Sequence, residues 1–364
     1  MKKNSILLED AKNIFDSCGD IFSELSGKNL LITGGAGFLC SYFLDIFSIY
    51  NMQNPGKEIN ILATDNFLSG IPERLEAFNG IAGIEIRNHN VLKQLDEEIT
   101  FDYIIHGASV ASPIYYRKYP LETIDVNING TWNMLKRAQA DKSKAILYFS
   151  SSEVYGDPDP ARVPSDETYL GNVETMGPRA CYDESKRLGE TLCYNFYHQH
   201  GVPVKVVRPF NVYGPGQNLN DERILPDLLS ASIENKDIVL FSDGTPTRSF
   251  VYVRDFMKGT LGIMFNGKPA EPYNVGNDEE VSISQVAAMM CDAAKEFGRD
   301  ISVKFETSQD EQYLEDNPNR RCPDLQKTKS TINWKPEIMV REGLSRTLSS
   351  YLEEETLETQ AKET

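Results

Sequence analysis

The six cysteines of this 364-residue chain include no Cys-x-x-Cys pair. That spacing argues against a zinc cluster and against a secreted disulfide framework. Thiols at positions 18, 40, 181, 193, 291 and 322 are therefore expected to be reduced. Long apolar runs are also missing: even Ser41 to Tyr50 carries Asp45, whereas a membrane helix needs roughly 20 uncharged apolar residues. Positive charge is scarce. With 37 Lys+Arg against 54 Asp+Glu the formal net charge is −17, which repels nucleic acids and acidic membranes and obliges any anionic substrate to meet locally focused cations. Of the four histidines, His89 and His106 are read as packed or capping residues, and no metal site is expected. The opening Met1-Lys2-Lys3-Asn4-Ser5 runs into Glu9 and Asp10 without a long apolar region. It does not read as a signal peptide, so the cytoplasm is the expected compartment.

What the chain does hold is enough apolar material, 40% of its residues, for a large core and about two domains. The spacing of Ile6, Leu7, Ile14, Phe15, Ile21, Phe22 and Leu25 predicts a helical extension over 1–28, suited to packing on a partner subunit. From Asn29 onward apolar runs alternate with amphipathic segments: Leu30 to Thr33, Ile59 to Thr64, Ile84 to Arg87, Tyr103 to His106, Ala145 to Ser150 and Val204 to Val207. This alternation predicts an α/β fold with a doubly wound parallel sheet of the Rossmann kind over 29–208. After Arg208 the pattern breaks at Pro209, Gly214-Pro215-Gly216, Asp243-Gly244 and Pro272. A smaller α/β substrate-binding domain is expected over 209–246 and 267–350, with a return to the first domain at about 247–266. A polar tail over 351–364 is expected to fray.

The run Thr33-Gly34-Gly35-Ala36-Gly37-Phe38-Leu39 joins a predicted strand to a predicted helix. Glycines there let the backbone approach a pyrophosphate, and the helix start offers unpaired N–H groups. Gly34, Gly37, Phe38 and Leu39 are the candidate cradle. Asp65, followed by Asn66, ends the next strand and is placed to accept from both hydroxyls of an adenosine ribose while repelling a 2′-phosphate. NAD is thus expected over NADP. Tyr182 and Lys186 are four apart and share one helix face, where the ammonium favours the phenolate and lets Tyr182 take a proton from a substrate hydroxyl. Ser150-Ser151-Ser152-Glu153 follows a predicted strand at the sheet's carboxyl edge, where open α/β sheets bind ligands. A solvated Tyr/Lys pair or a polar strand end would be commonplace alone; together these residues form a catalytic constellation.

These motifs, with Gly177-Pro178-Arg179-Ala180-Cys181-Tyr182-Asp183-Glu184-Ser185-Lys186-Arg187 and Ala108-Ser109-Val110-Ala111-Ser112-Pro113, resemble the extended short-chain dehydrogenases that act on nucleotide sugars. Within that class the chain is most similar to the UDP-glucuronate decarboxylase (UDP-xylose synthase) family over about 29–336. The resemblance implies that Ser151 helps Tyr182 polarise the sugar's C4 oxygen and that Lys186 also holds the nicotinamide ribose. It implies Ser112 and Glu153 in the substrate site, Asn211 as a substrate contact, and Arg248 beside the reacting carboxylate. Arg223 and Arg321 would hold uridine or diphosphate. Ser152 stands where 4,6-dehydratases carry the Asp that expels the C6 hydroxyl. A serine is a poor acid for that task, so loss of carbon dioxide from UDP-glucuronate is favoured.

The chain departs from the pattern at Cys40, the third glycine position, where a side chain crowds helix against strand and would loosen the loop. It departs also at Asn90, where an adenine-contacting Asp is usual, and at Val110, which replaces a proline. A 4-epimerase, a decarboxylase that stops at the 4-keto pentose and a 4,6-dehydratase share the same core. A non-catalytic NAD-binding sensor is the alternative of another class. The resemblance and the apolar Leu188, Leu192 and Phe196 imply a homodimer through a four-helix bundle.

Overall fold

The computed structural model describes residues 4–95, 98–221, 223–306 and 319–362, with side chains to residue 357. Apolar runs bury on both faces when helices cover both sides of a sheet, and that is where they go. Seven strands, β1 (Asn29–Thr33), β2 (Asn60–Asp65), β3 (Ile84–Asn88), β4 (Tyr103–His106), β5 (Ala145–Phe149), β6 (Val204–Pro209) and β7 (Pro272–Val275), form a parallel sheet in the order β7-β6-β5-β4-β1-β2-β3. Leu31 lies opposite Ile104 and Ile32 opposite Ile105, and all four are buried at 0% exposure. Strand order reverses between β1 and β4, which opens a crevice at their carboxyl ends. The domain division drawn at residue 267 needs one correction: β7 pairs with β6 inside this sheet.

Helix α1 (Ser5–Ser17) and α2 (Gly19–Leu25) precede the sheet. Asn4 caps α1 by accepting from the backbone N–H groups of Ile6 and Leu7, and Ile14, Phe22 and Leu25 are buried. Their partners among the described residues belong to the same chain. They join the core that holds α3 (Phe38–Gln53) and α6, where α4 is Thr131–Asp141, α5 Ala180–His200 and α6 Val253–Asn266. Buried Asp10 accepts from Tyr252 at 2.5 Å and from Arg346 at 2.8 Å. The expected frayed tail is also corrected. The last helix, α7 (Val340–Lys362), carries the chain through most of it, because Ser5 Oγ donates to Glu353 at 2.6 Å and Asn4 Nδ2 to the Ser350 carbonyl at 2.5 Å. Residues 363 and 364 lie outside the described residues. Since the extension is core, Ile14→Ala is expected to cost about 2–5 kcal/mol, measured as a lowered urea midpoint at unchanged slope; a loose extension would lose under about 0.5 kcal/mol.

The remaining chain builds the cap. Its three-stranded sheet orders Glu280–Ser282, Thr247–Ser249 and Arg320–Arg321, with Arg321 directly opposite Arg248. No helix among the described residues is long and apolar enough to cross a membrane.

Candidate active site

Two adjoining cavities run along the carboxyl edge of the sheet and share Gly34, Gly37, Gly107 and Ser109. The one of about 300 Å³ is lined by Asp65, Asn66, His89 and Asn90. The other, of about 310 Å³, is lined by Phe38, Leu39, Ser112, Ser151, Ser152, Glu153, Tyr182, Lys186, Asn211 and Arg223. An elongated ligand with two ends fits such a cleft.

The glycine loop is shaped for a dinucleotide. Gly34 has φ +74°, and a Cβ there would come within 2.8 Å of the Gly107 and Ala108 backbone; a Cβ at Gly37 would meet the Gly34 carbonyl at 3.1 Å. No side chain caps α3, so its first N–H groups are available to an anion. Asp65 accepts from the Ala36 N–H at 3.0 Å and the Phe67 N–H at 2.7 Å. A carboxylate has about four acceptor positions, so capacity for ribose hydroxyls remains. Asn66 and Asn90 each accept from the N–H two residues on, at 3.1 Å and 3.0 Å. These residues fit NAD. Cys40, expected to crowd this packing, is 4% exposed, and its sulfur occupies the space a Gly107 side chain would need. Gly107→Ala should therefore cost about 1–3 kcal/mol by overpacking, and adding Cys40→Ala should restore the thermal midpoint.

Helix α5 starts beside the end of β5, and this brings the Tyr/Lys pair to the serines. The Ser151 hydroxyl lies beside the Tyr182 phenol and favours its ionised form, and it accepts the Glu153 N–H at 3.2 Å. The ammonium of Lys186 is 5.6 Å from the Tyr182 ring centre and donates to the Phe149 carbonyl at 2.8 Å. Burial pushes the Lys186 ammonium down to about 7. Burial also pushes the Tyr182 phenol well above its ordinary value, with Glu153 and Asp183 adding to it. Tyr116 stacks on Tyr182 at 5.3 Å, and Val110 packs with both, so the ring is held in one plane. His106 is packed as expected, between Thr33 Oγ1 at 2.8 Å and Thr131 Oγ1 at 3.1 Å.

Three guanidinium groups gather behind Glu153. Arg179 donates to it at 2.6 Å, and Arg321 donates both to it and, at 3.0 Å, to the Gly156 carbonyl. The two arginines hold the Glu153 carboxyl well below the usual carboxylate range against a large burial penalty. Arg248 is 8% exposed and donates to the Thr247 carbonyl at 2.7 Å. Burial and the facing Arg321 push Arg248 down to about 10, which leaves it charged at neutral pH. Neither Arg248 nor Arg321 lines the main cleft; Arg321 lines a cavity behind Glu153, with Arg179 and Asp183. Arg321, expected at the nucleotide, is thus placed at the acid. Arg223 does line the cleft and pairs with Asp221. Asn211, at φ +38°, donates to the Ser249 carbonyl at 2.9 Å. Arg179 and Tyr116 were missed in the sequence; the signal for Arg179 was its place three residues before Tyr182.

The profile of the NAD dependent epimerase/dehydratase family matches residues 30–276. The chain belongs to that family. Among this family member's relatives, UDP-glucuronic acid decarboxylase 1 of Xenopus tropicalis is 38% identical over 332 residues, covering 91% of this chain and 74% of the relative. UDP-glucuronic acid decarboxylase 6 of Arabidopsis thaliana is 36% identical over 319 residues, covering 88% and 87%. Among solved structures of like fold, UDP-glucose 4-epimerase of Thermotoga maritima superposes with a TM-score of 0.75 at 23% identity, over 90% of this chain and 99% of that one. UDP-glucuronic acid 4-epimerase of Bacillus cereus, in complex with UDP-glucuronic acid and NAD, gives 0.73 at 22% identity over 90% and 99%.

Proposed function

We propose that this family member decarboxylates UDP-glucuronate to UDP-xylose, taking a hydride from C4 and returning it. The observation that carries the reading is the state of the acid position. Ser152 offers no carboxyl, and Glu153 is clamped as an anion by Arg179 and Arg321, so neither can protonate a departing C6 hydroxide. A β-keto acid needs no such proton donor. NAD, which Gly34, Gly37, Asp65 and Lys186 would hold, would supply the acceptor for the C4 hydride and its donor on return. Tyr182 takes the C4 hydroxyl proton, with Lys186 stabilising the phenolate and Ser151 sharing the oxygen. Carbon dioxide then leaves as the C5–C6 bond electrons form an enolate whose oxygen the same two hydroxyls hold. The enolate takes a proton at C5 from solvent, and hydride return to C4 with return of the Tyr182 proton to O4 completes the pentose. Arg248, with Arg179 and Arg321, supplies the focused positive charge that an acidic protein needs to admit an anionic sugar. The names of the curated relatives support the same substrate.

The exposed Trp132, Leu188 and Tyr194 on α4 and α5 support a homodimer joined through these helices. Six free thiols support a reducing compartment such as the cytoplasm.

The test follows carbon-13 at C6 of UDP-glucuronate by NMR, with and without added NAD⁺. Labelled carbon dioxide with UDP-xylose is the expected result. A new C4 epimer that keeps its carboxylate would make the chain an epimerase, and accumulating NADH with a 4-keto pentose would remove the return step.

A further inference from the structure

Arg74 belongs to none of the motifs above, yet its side chain lines the main cleft with Phe38, Leu39, Ile71 and Gln217. Two anchors fix its place. Ile71 donates its N–H to the Ala36 carbonyl of the glycine loop at 3.2 Å, and Arg74 donates its own to the Ile71 carbonyl at 3.1 Å. Within that link a Cβ on Gly70 would fall 2.8 Å from Ala36 and 3.0 Å from Asp65, so the segment lies flat against the cofactor loop. On the far side the guanidinium faces Gly216 beside Leu7 of α1. The Gly216 loop is itself held by Tyr42, which donates to the Pro215 carbonyl at 3.0 Å, and by Tyr351, which donates to the Gln217 carbonyl.

In a chain of net charge −17, most arginines beside the cleft have a carboxylate: Arg179 has Glu153 and Arg223 has Asp221. Among the described residues no carboxylate comes within 4 Å of the Arg74 guanidinium, and it donates no side-chain hydrogen bond. The charges of Tyr351, Tyr42, Asp45 and Glu354 reach it from beyond ion-pair distance and favour its charged form. Arg74 is half-buried and burial disfavours its charge, so a cation without an anion there is costly; it lines the same cleft as Phe38 and Leu39 of the uncapped first turn of α3. A planar guanidinium and a helix N-terminus facing one cleft make complementary halves of a diphosphate site.

We propose that Arg74 binds the diphosphate of the dinucleotide from the side opposite the glycine loop. The inference rests on the NAD site described above. It assigns to the link after β2, and through it to α1, a part in holding the cofactor.

The experiment compares the full-length wild type with Arg74→Gln and Arg74→Lys, each stripped of bound nucleotide. Dissociation constants are measured by calorimetry for ADP-ribose, adenosine and UDP at low and high salt. Arg74→Gln should weaken ADP-ribose about tenfold, the loss of one charged hydrogen-bonding contact, and flatten its salt dependence. Adenosine and UDP should change less than twofold, and Arg74→Lys should recover part of the loss. Equal weakening of adenosine and ADP-ribose would overturn the inference in favour of a packing role. Weakening of UDP alone would overturn it by moving Arg74 to the substrate. Unchanged ADP-ribose affinity would overturn it outright. A wild type that binds no ADP-ribose would instead bring down the NAD site on which it rests.

Discussion

Replacing Tyr182 by phenylalanine should lower kcat by about 10²–10⁴-fold while leaving the fold and the melting temperature nearly unchanged. The ring keeps its stacking on Tyr116 at 5.3 Å and its packing against Val110, so what disappears is one hydroxyl beside Ser151. That hydroxyl is the group placed to take the C4 proton. Its resting proton is held tightly by burial, so the phenolate must be made by the cationic neighbour, and Lys186 is the ammonium within reach. Single-turnover mixing of enzyme, NAD⁺ and UDP-glucuronate should show no rise in NADH absorbance. A normal NADH burst followed by slow product formation would instead place the lost step after oxidation and remove Tyr182 as the proton acceptor. Full activity would remove the whole assignment.

Removing the carboxylate of Glu153 should unfold the molecule more easily than any other single change at the site. In Glu153→Ala the guanidiniums of Arg179 and Arg321 lose their common anion, with side chains 16% and 5% exposed, and Arg248 lies directly opposite Arg321 on the adjoining strand. Breaking a buried pair by deleting one partner costs about 3–5 kcal/mol, and like charges set opposite each other add to it. The urea midpoint should fall accordingly. The pH dependence has a definite sign. The folded state holds this carboxyl well below its ordinary value of 4.5, so its contribution is complete above about that pH and is lost as the pH falls below it toward the folded value. In the variant the acid limb of the stability curve should be shallower. An unchanged acid limb would show that folding does not lower the Glu153 carboxyl below its ordinary value.

Both predictions draw on residues of unequal legibility. Five sheet strands could be read from apolar runs, since burial on both faces leaves a continuous signal, and β3 at the edge from the alternation of Ile84 and Ile86 with Glu85 and Arg87. Strand β7 could not: four residues opening on Pro272 carry no periodicity, and its place depends on pairing with β6. The helical nature of the N-terminal extension was legible in its spacing, but its partners were not. An amphipathic stripe says that a face is covered without saying by what. At the site, Gly34 and Asp65 follow from the local geometry of one strand–loop–helix–strand unit, and Tyr182 and Lys186 from their four-residue spacing on one helix. The placing of Arg248 opposite Arg321, behind Glu153, depends on cross-strand register between strands more than 70 residues apart, which no local pattern encodes. Cys40 could be seen as an intrusion, while the glycine that admits it, Gly107, lies on another strand's end.

Strand β7 has a consequence for how the molecule comes apart. It leaves the cap, hydrogen-bonds to the edge of the central sheet and returns, and Asn274 within it donates to the carbonyls of Ser165 and Asp324 and accepts from Tyr155. Neither layer can melt without stripping backbone bonds from the other. Heat should therefore drive a single all-or-none transition, with calorimetric and van't Hoff enthalpies in agreement, in a chain whose size would ordinarily allow two.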